Sequence, residues 1–352
     1  MRKFLQRLFL VLIATVVSLA GVEVLVRVFW NQLNRQAVIP LTLKTHRFTE
    51  NKVMGYELVP GSVAFEDNAW YRINPDGIRD REYALAKPAG TYRIAAVGDS
   101  CTFGLGLALE DTWPKQLERE LQRTDPRVEV INFGVMGYNT PQEAERIQDK
   151  VLKYSPDLII IGYSLNDIGV LSRQRTLLAT YKGYDSFLTT GNRFVDGLLP
   201  HAKTYMLIKN RLFLKKTHAD TNPKYSKDGL KYIQRGYNRY FFDAYEEAEN
   251  WNILVKAFAK IRDLTQPKIP VLLVIHSELQ EMDPYLFRDI HEIVKKLSLD
   301  HGFLVLDPLD EILAHKVRDL RISTANTHPN AMGNQVFVQA IARYLRANSM
   351  MK

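Results

Sequence analysis

The sequence predicts an α/β protein, a three-layer α/β/α sandwich built on a five-stranded parallel sheet. Three observations predict it. Short apolar runs recur along the chain, each the length of a strand buried on both faces. Amphipathic helical stretches separate these runs, the alternation that a parallel sheet requires. Gly, Asn, Asp and Ser gather just after the runs, where such sheets place their ligand-binding turns.

The strands are expected at Arg93 to Val97, Val128 to Phe133, Asp157 to Gly162, Ile269 to Ile275 and Phe303 to Leu306. Trp113, Leu117 and Leu121 fall on one face of the helix after the first strand. The next helix opens with "TPQE": Thr140 as N-cap, Pro141 at the first helical position and Glu143 closing a capping box,. Ala144, Ile147 and Val151 continue it at helical spacing. Further helices are expected over Asn250 to Leu264, Pro284 to Leu297 and Asn334 to Leu345.

The chain has 352 residues, 46% of them hydrophobic, which suffices for a sizeable core,. The formal net charge is +8. The basic residues are spread along the chain with no interleaved aromatic signature, so no nucleic-acid partner is expected. A single cysteine, Cys101, leaves no intrachain disulfide to form,. It reads as a small buried apolar side chain.

Residues 1–30 form a segment of their own. Arg2, Lys3 and Arg7 precede the apolar run Leu8 to Val22, and apolar character continues past Glu23 and Arg27 to Phe29 and Trp30. This reads as an uncleaved transmembrane signal anchor, N-terminus inside, with the remaining chain on the extracytoplasmic (periplasmic) side. The alternative is a cleaved signal with a secreted product, and Ser18-Leu19-Ala20 offers a cleavage site,. Residues 31–90 read as a small β-rich extension, with Asn74-Pro75-Asp76-Gly77 as a strong turn,. Residues 91–350 form the main domain, interrupted at about 170–249 by an aromatic-rich, mainly helical insert. That insert reads as an extra subdomain or as a lid or polymer-binding surface.

Each strand ends in chemistry-bearing residues. Gly98-Asp99-Ser100 follows the first strand, and Gly137 lies one short loop beyond the second. "GYSLND" ends the third and presents Asn166; "NTHPN" places His328 before the last helix. Their joint order is the signal, since each alone is an ordinary turn residue. These blocks resemble the SGNH, or GDSL-type, hydrolase superfamily across roughly residues 91 to 347. The resemblance implies a flavodoxin-like sheet and needs no metal or organic cofactor. It implies Ser100 as nucleophile and His328 as general base. The oxyanion hole would comprise the Ser100 N–H, the Gly137 N–H and the Asn166 side chain. Asp99 and Asp167 would brace their loops.

The chain departs from that pattern at one position. Three residues before His328, where the family has aspartate, stands Ala325; Asn326 stands two before. An aspartate would fix the imidazole tautomer and stabilise its charge. Asn326 is one candidate to orient the ring, Asp307 another, with Asp310 a third and His276 a rival base that reads as a core histidine. Three readings stay open: a Ser–His dyad, a relocated acid, or a binding protein without catalysis. The expected function is an extracytoplasmic serine esterase acting on O-acylated carbohydrate or another carboxylic ester. An O-acyltransferase to surface polysaccharide and a non-catalytic carbohydrate-binding accessory protein are the alternatives.

Overall fold

The structure, a computed structural model, describes residues 2–29, 45–66, 69–168, 241–280, 284–323 and 326–350. Most of the expected insert, and with it Tyr181 to Tyr240, lies outside these residues, as does Ala325. The chain divides into two compact units, Met1–Leu41 with Arg175–Tyr232, and Thr42–Gln174 with Ile233–Lys352.

In the first unit the described element is helix α1 (Arg2–Val28). Its stretch Phe9–Val28 has a mean hydropathy of 2.5, long and apolar enough to cross a membrane, a property that signal sequences share,. Phe9, Leu10, Val17 and Leu19 are exposed along it. Glu23 and Arg27 pair at 2.8 Å one turn apart, so the two charges partly neutralise each other,.

The second unit begins with two antiparallel hairpins. Strand β1 (His46–Phe48) pairs β2 (Tyr56–Leu58), and β3 (Val63–Glu66) pairs β4 (Ala69–Arg72). The sheet strands follow as β5 (Tyr92–Gly98), β6 (Val128–Asn132), β7 (Leu158–Ser164), β8 (Val271–His276) and β9 (Leu304–Leu306). All five are parallel, in the order β6-β5-β7-β8-β9. This is the flavodoxin-like order, with its switch point at β5 and β7.

Helices cover both faces: α2 (Ser100–Phe103), α3 (Trp113–Gln122), α4 (Thr140–Asp149), α5 (Ala248–Thr265), α6 (Arg288–Asp300), α7 (Leu309–Leu313) and α8 (Ala331–Ala347). The period-2 geometry of strands divides the core. Ala95, Val97, Ile159, Ile161, Leu273 and Ile275 face a cluster with Ile147 of α4, Phe258 of α5 and Val294 of α6. Their neighbours Ile94, Ala96, Leu158, Ile160, Leu272 and Val274 face Trp113 and Leu117 of α3 and Phe337 and Ile341 of α8. Phe241 and Tyr245, from the end of the expected insert, are buried in the first cluster.

One expected cap is corrected. The N-cap of α4 is Asn139, not Thr140: its side chain accepts from Gln142 N–H, and the Gln142 side chain accepts from Asn139 N–H. Thr140 instead donates its hydroxyl to the Asp167 carbonyl at 3.3 Å. The last helix also starts earlier than its apolar stripe, at Ala331, because Asn330 accepts from Gly333 N–H and caps it,.

A buried charge network ties the extension to the sheet. Lys115 of α3 donates to Asp80, to the Tyr83 hydroxyl and to the Val130 carbonyl. Asp80 in turn accepts the Asn132 N–H at 2.9 Å. Buried charges persist when paired and hydrogen-bonded in this way.

Candidate active site

Ser100 opens α2 at the carboxyl end of β5, beside the switch point. The turn needs glycine at 98. Gly98 has φ +156°, and a Cβ there would stand 2.1 Å from Thr102 Oγ1 and 2.8 Å from the Gly162 carbonyl. Asp99 caps the short helix, accepting from Cys101 N–H at 2.8 Å. Burial pushes its carboxyl above the usual range, against the Cys101 N–H and the neighbouring His328, which favour the charged form. Burial likewise pushes the Cys101 thiol well up, so it is held as the unreactive thiol,.

The Ser100 hydroxyl lies 2.8 Å from Nε2 of His328 and 3.3 Å from an Asp99 oxygen. His328 rides on the loop before α8, whose ends are held by the Ile322 N–H to His328 carbonyl bond and an Arg321–Pro329 bridge. Its Nδ1 lies 2.7 Å from Asn326 Oδ1, and its own backbone N–H donates to the same oxygen at 3.2 Å. A backbone N–H can only donate, so the amide end facing it is the oxygen. That oxygen can only accept, so Nδ1 carries the ring proton and Nε2 keeps a lone pair for the Ser100 hydroxyl.

The other acid candidates are engaged elsewhere. Asp307, at the end of β9, bonds Nδ1 of His291 at 3.0 Å and the Leu309 N–H at 3.1 Å. Burial pushes its carboxyl up, but His291, Lys295 and that N–H outweigh burial and hold it below the ordinary range. Exposed Asp310 pairs Arg288 at 3.1 Å. His276 is packed as a core residue, its ring stacked on Phe337 at 3.9 Å. Burial lowers it to about 3, which keeps it neutral.

Gly137 and Asn166 sit on the loops after β6 and β7. Gly137 has φ +73°, the left-handed region where glycine is unstrained,. The Tyr56 hydroxyl donates to the adjacent Met136 carbonyl at 2.7 Å, and Tyr138 donates back to the Tyr56 carbonyl. Asn166 lies in the turn Leu165–Ile168, which Asp167 braces by accepting Ser164 N–H at 2.6 Å. Among the described residues no group of three His, Cys, Asp or Glu side chains is placed to hold a metal ion.

Sequence reasoning missed several supports. Arg79 is buried and donates to the carbonyls of Phe103, Gly104 and Leu107, fixing the loop that follows Ser100. Its guanidinium lies 4.5 Å from the Tyr71 ring centre and 4.6 Å from that of Phe103, and burial lowers its pKa to about 10. Tyr56 and Arg79 both come from the extension, and no local pattern marks either. Glu143, expected in a cap, is instead fully buried, and among the described residues neither carboxylate oxygen has a hydrogen-bond partner. Burial first, then the charge of Asp99, push it well above the usual range.

A serine hydroxyl bonded to an oriented imidazole, at the switch point of a parallel α/β sheet, defines a hydrolase-type site. Residues 96–336 match the GDSL-like Lipase/Acylhydrolase family, and the chain belongs to it. An arylesterase of Vibrio mimicus is 28% identical over 82 residues, 23% of this chain and 41% of that protein's length. Among solved structures, a lipase/acylhydrolase from Enterococcus faecalis aligns with TM-score 0.42 and 15% identity, covering 73% of this chain and 97% of that one. A variant of an acetylxylan esterase from Geobacillus stearothermophilus aligns with TM-score 0.41 and 16% identity, covering 73% and 95%.

Proposed function

We propose that the protein is an esterase that forms an acyl-enzyme on Ser100, acting on O-acylated carbohydrate or a related carboxylic ester. The observation that carries this reading is the Ser100 Oγ to His328 Nε2 contact of 2.8 Å, backed by Asn326. Ser100 Oγ attacks the ester carbonyl carbon while its proton passes to Nε2. The carbonyl oxygen becomes an oxyanion, received by the N–H groups of Ser100 and Gly137 and the Asn166 amide. Among the described residues the Asn166 amide makes no hydrogen bond, which leaves its N–H free to donate. The carbon–oxygen bond to the alcohol breaks as His328 returns its proton to that oxygen. Water then attacks the acyl-enzyme, His328 takes a proton from it, and the carboxylic acid leaves with Ser100 restored.

Asn326 orients the ring and carries no charge. It therefore supports a Ser–His dyad with a positioning amide rather than a full charged triad. Helix α1 serves in this reading as a signal anchor, with the site on the extracytoplasmic face of the membrane. Acylated surface glycan fits that placement and the family's acyl chemistry.

Hydrolysis of p-nitrophenyl acetate by the purified full-length protein tests the reading. Turnover lost in both Ser100→Ala and His328→Ala supports it. Turnover that persists in correctly folded Ser100→Ala contradicts it.

A further inference from the structure

The hairpin β3–β4 turns an apolar face to solvent. Its inner face is ordinary: Ala64, Ala69 and Tyr71 are buried. Its outer face carries Val63, Phe65 and Trp70, which are 48%, 57% and 60% exposed. Trp70 stands directly opposite Phe65, with ring centres 5.3 Å apart, and Arg72 stands opposite Val63. A ribbon with one wet face normally alternates apolar in and polar out. Here the outer face sets three apolar side chains beside Arg72, which marks it for contact,.

That face also borders a cavity. Trp70 and Arg72, with Ala69, Ala108 and Leu109, line a volume of about 360 Å³, within the size range of small-ligand pockets. The far wall belongs to the loop that continues from Ser100. Tyr71, next to Trp70, accepts the Gly106 N–H at 2.8 Å and sets its ring edge against Phe103 at 5.1 Å. The hairpin is thus pinned to the segment that carries the nucleophile. Among the described residues Arg72 has no ion-pair partner.

We propose that this cavity is a carbohydrate subsite: a sugar ring stacks on the Trp70 indole while the Arg72 guanidinium donates to a hydroxyl or carboxylate oxygen of the same glycan. The proposal rests on the esterase reading and deepens it, since the subsite would hold a glycan whose ester reaches Ser100. A pyranose presents C–H groups of slight positive charge on one face, and these suit the negative face of an indole. The guanidinium fork suits paired oxygens. The concave lining favours a glycan over a flat bilayer.

The test uses full-length protein in detergent micelles. Ser100→Ala protein, which consumes no ester, is titrated against a panel of neutral, acidic and acetylated oligosaccharides. In parallel, the Ser100 protein is assayed on p-nitrophenyl acetate, which has no sugar. We expect binding of at least one glycan, weakened about tenfold by Trp70→Ala and by Arg72→Ala and less by Trp70→Phe. Hydrolysis of p-nitrophenyl acetate should stay within about twofold in the single variants, because the stacking site lies outside the reacting atoms. Both side chains are exposed, and unchanged circular dichroism confirms the fold. No glycan binding, or binding indifferent to both substitutions, overturns the proposal. So does a Trp70-dependent loss confined to esters presented in phosphatidylcholine vesicles. Glycan binding that depends on Trp70 without any p-nitrophenyl acetate turnover upholds the subsite and removes the esterase reading alone.

Discussion

Nδ1 of His328 stands 2.7 Å from Oδ1 of Asn326, so an amide orients the imidazole where a carboxylate is the family's usual partner. In the proposed mechanism the amide fixes the tautomer but would not neutralise the imidazolium formed during attack. Asn326→Asp keeps the acceptor and adds the charge. The plateau value of kcat/KM should rise about five- to tenfold, the difference between a neutral and a charge-assisted hydrogen bond. The acid limb of its pH profile should move to higher pH, because a nearby carboxylate favours the protonated ring. A steep loss of activity in a folded Asn326→Asp protein would show that the amide N–H has a separate task.

Tyr56 reaches from the extension to the loop of Gly137 through its 2.7 Å bond to the Met136 carbonyl. Tyr56→Phe removes that bond and keeps the ring. Stability should fall by about 1 kcal/mol. If the loop supplies an oxyanion donor, kcat should fall several-fold with KM nearly unchanged. Steady-state kinetics on p-nitrophenyl acetate separate the two parameters.

Glu143 provides a pH test of stability. Its folded-state carboxyl is raised well above the ordinary value of 4.5. Below that value both folded and unfolded chains hold the proton, and the residue imposes no ionisation penalty. As pH rises the unfolded chain releases its proton while the folded chain retains it, so stability falls. Glu143→Gln removes this slope. Its melting temperature should match the parent near pH 4.5 and exceed it near pH 8 by several degrees, corresponding to roughly 1–3 kcal/mol. Parallel melting curves at both pH values would contradict the assignment.

Gly98 and Gly162 are partners in the β5–β7 register, yet they should tolerate alanine differently. At Gly98 a Cβ meets a backbone carbonyl at 2.8 Å as well as Thr102, at a φ of +156°. At Gly162 the nearest atoms belong to side chains, Thr102 Oγ1 at 2.8 Å and His276 Nε2 at 3.0 Å, and the backbone is outside the left-handed region. Gly98→Ala should cost about 3 kcal/mol or more, and Gly162→Ala less. Urea denaturation of both variants ranks them.

The sheet was legible because its strands are buried on both faces. Ile159 to Ile161 and Leu272 to Val274 read as continuous apolar runs whichever way each residue points. The pairing of Ser100 with His328 was legible through the resemblance of the Gly98-Asp99-Ser100 and "NTHPN" blocks to the family, although 228 positions separate the two residues. Contacts that hold the site in place were not. Arg79 binds carbonyls 24 to 28 residues away, and nothing in "NPDGIRDREY" marks that arginine apart from its neighbours. Asp307 occupies the strand end expected of an acid, but His291 on α6 claims it, a pairing that only the tertiary fold decides. The cap of α4 moved from Thr140 to Asn139 for the same reason: Thr140 is drawn away by the Asp167 carbonyl.

The proposed mechanism requires Ser100 to be an activated nucleophile. Treating the full-length protein with a fluorophosphonate probe and mapping the labelled peptide tests it most directly. One adduct is expected on Ser100, absent in Ser100→Ala and greatly slowed in His328→Ala. A folded protein that stays unlabelled, or that labels at another residue, would contradict it.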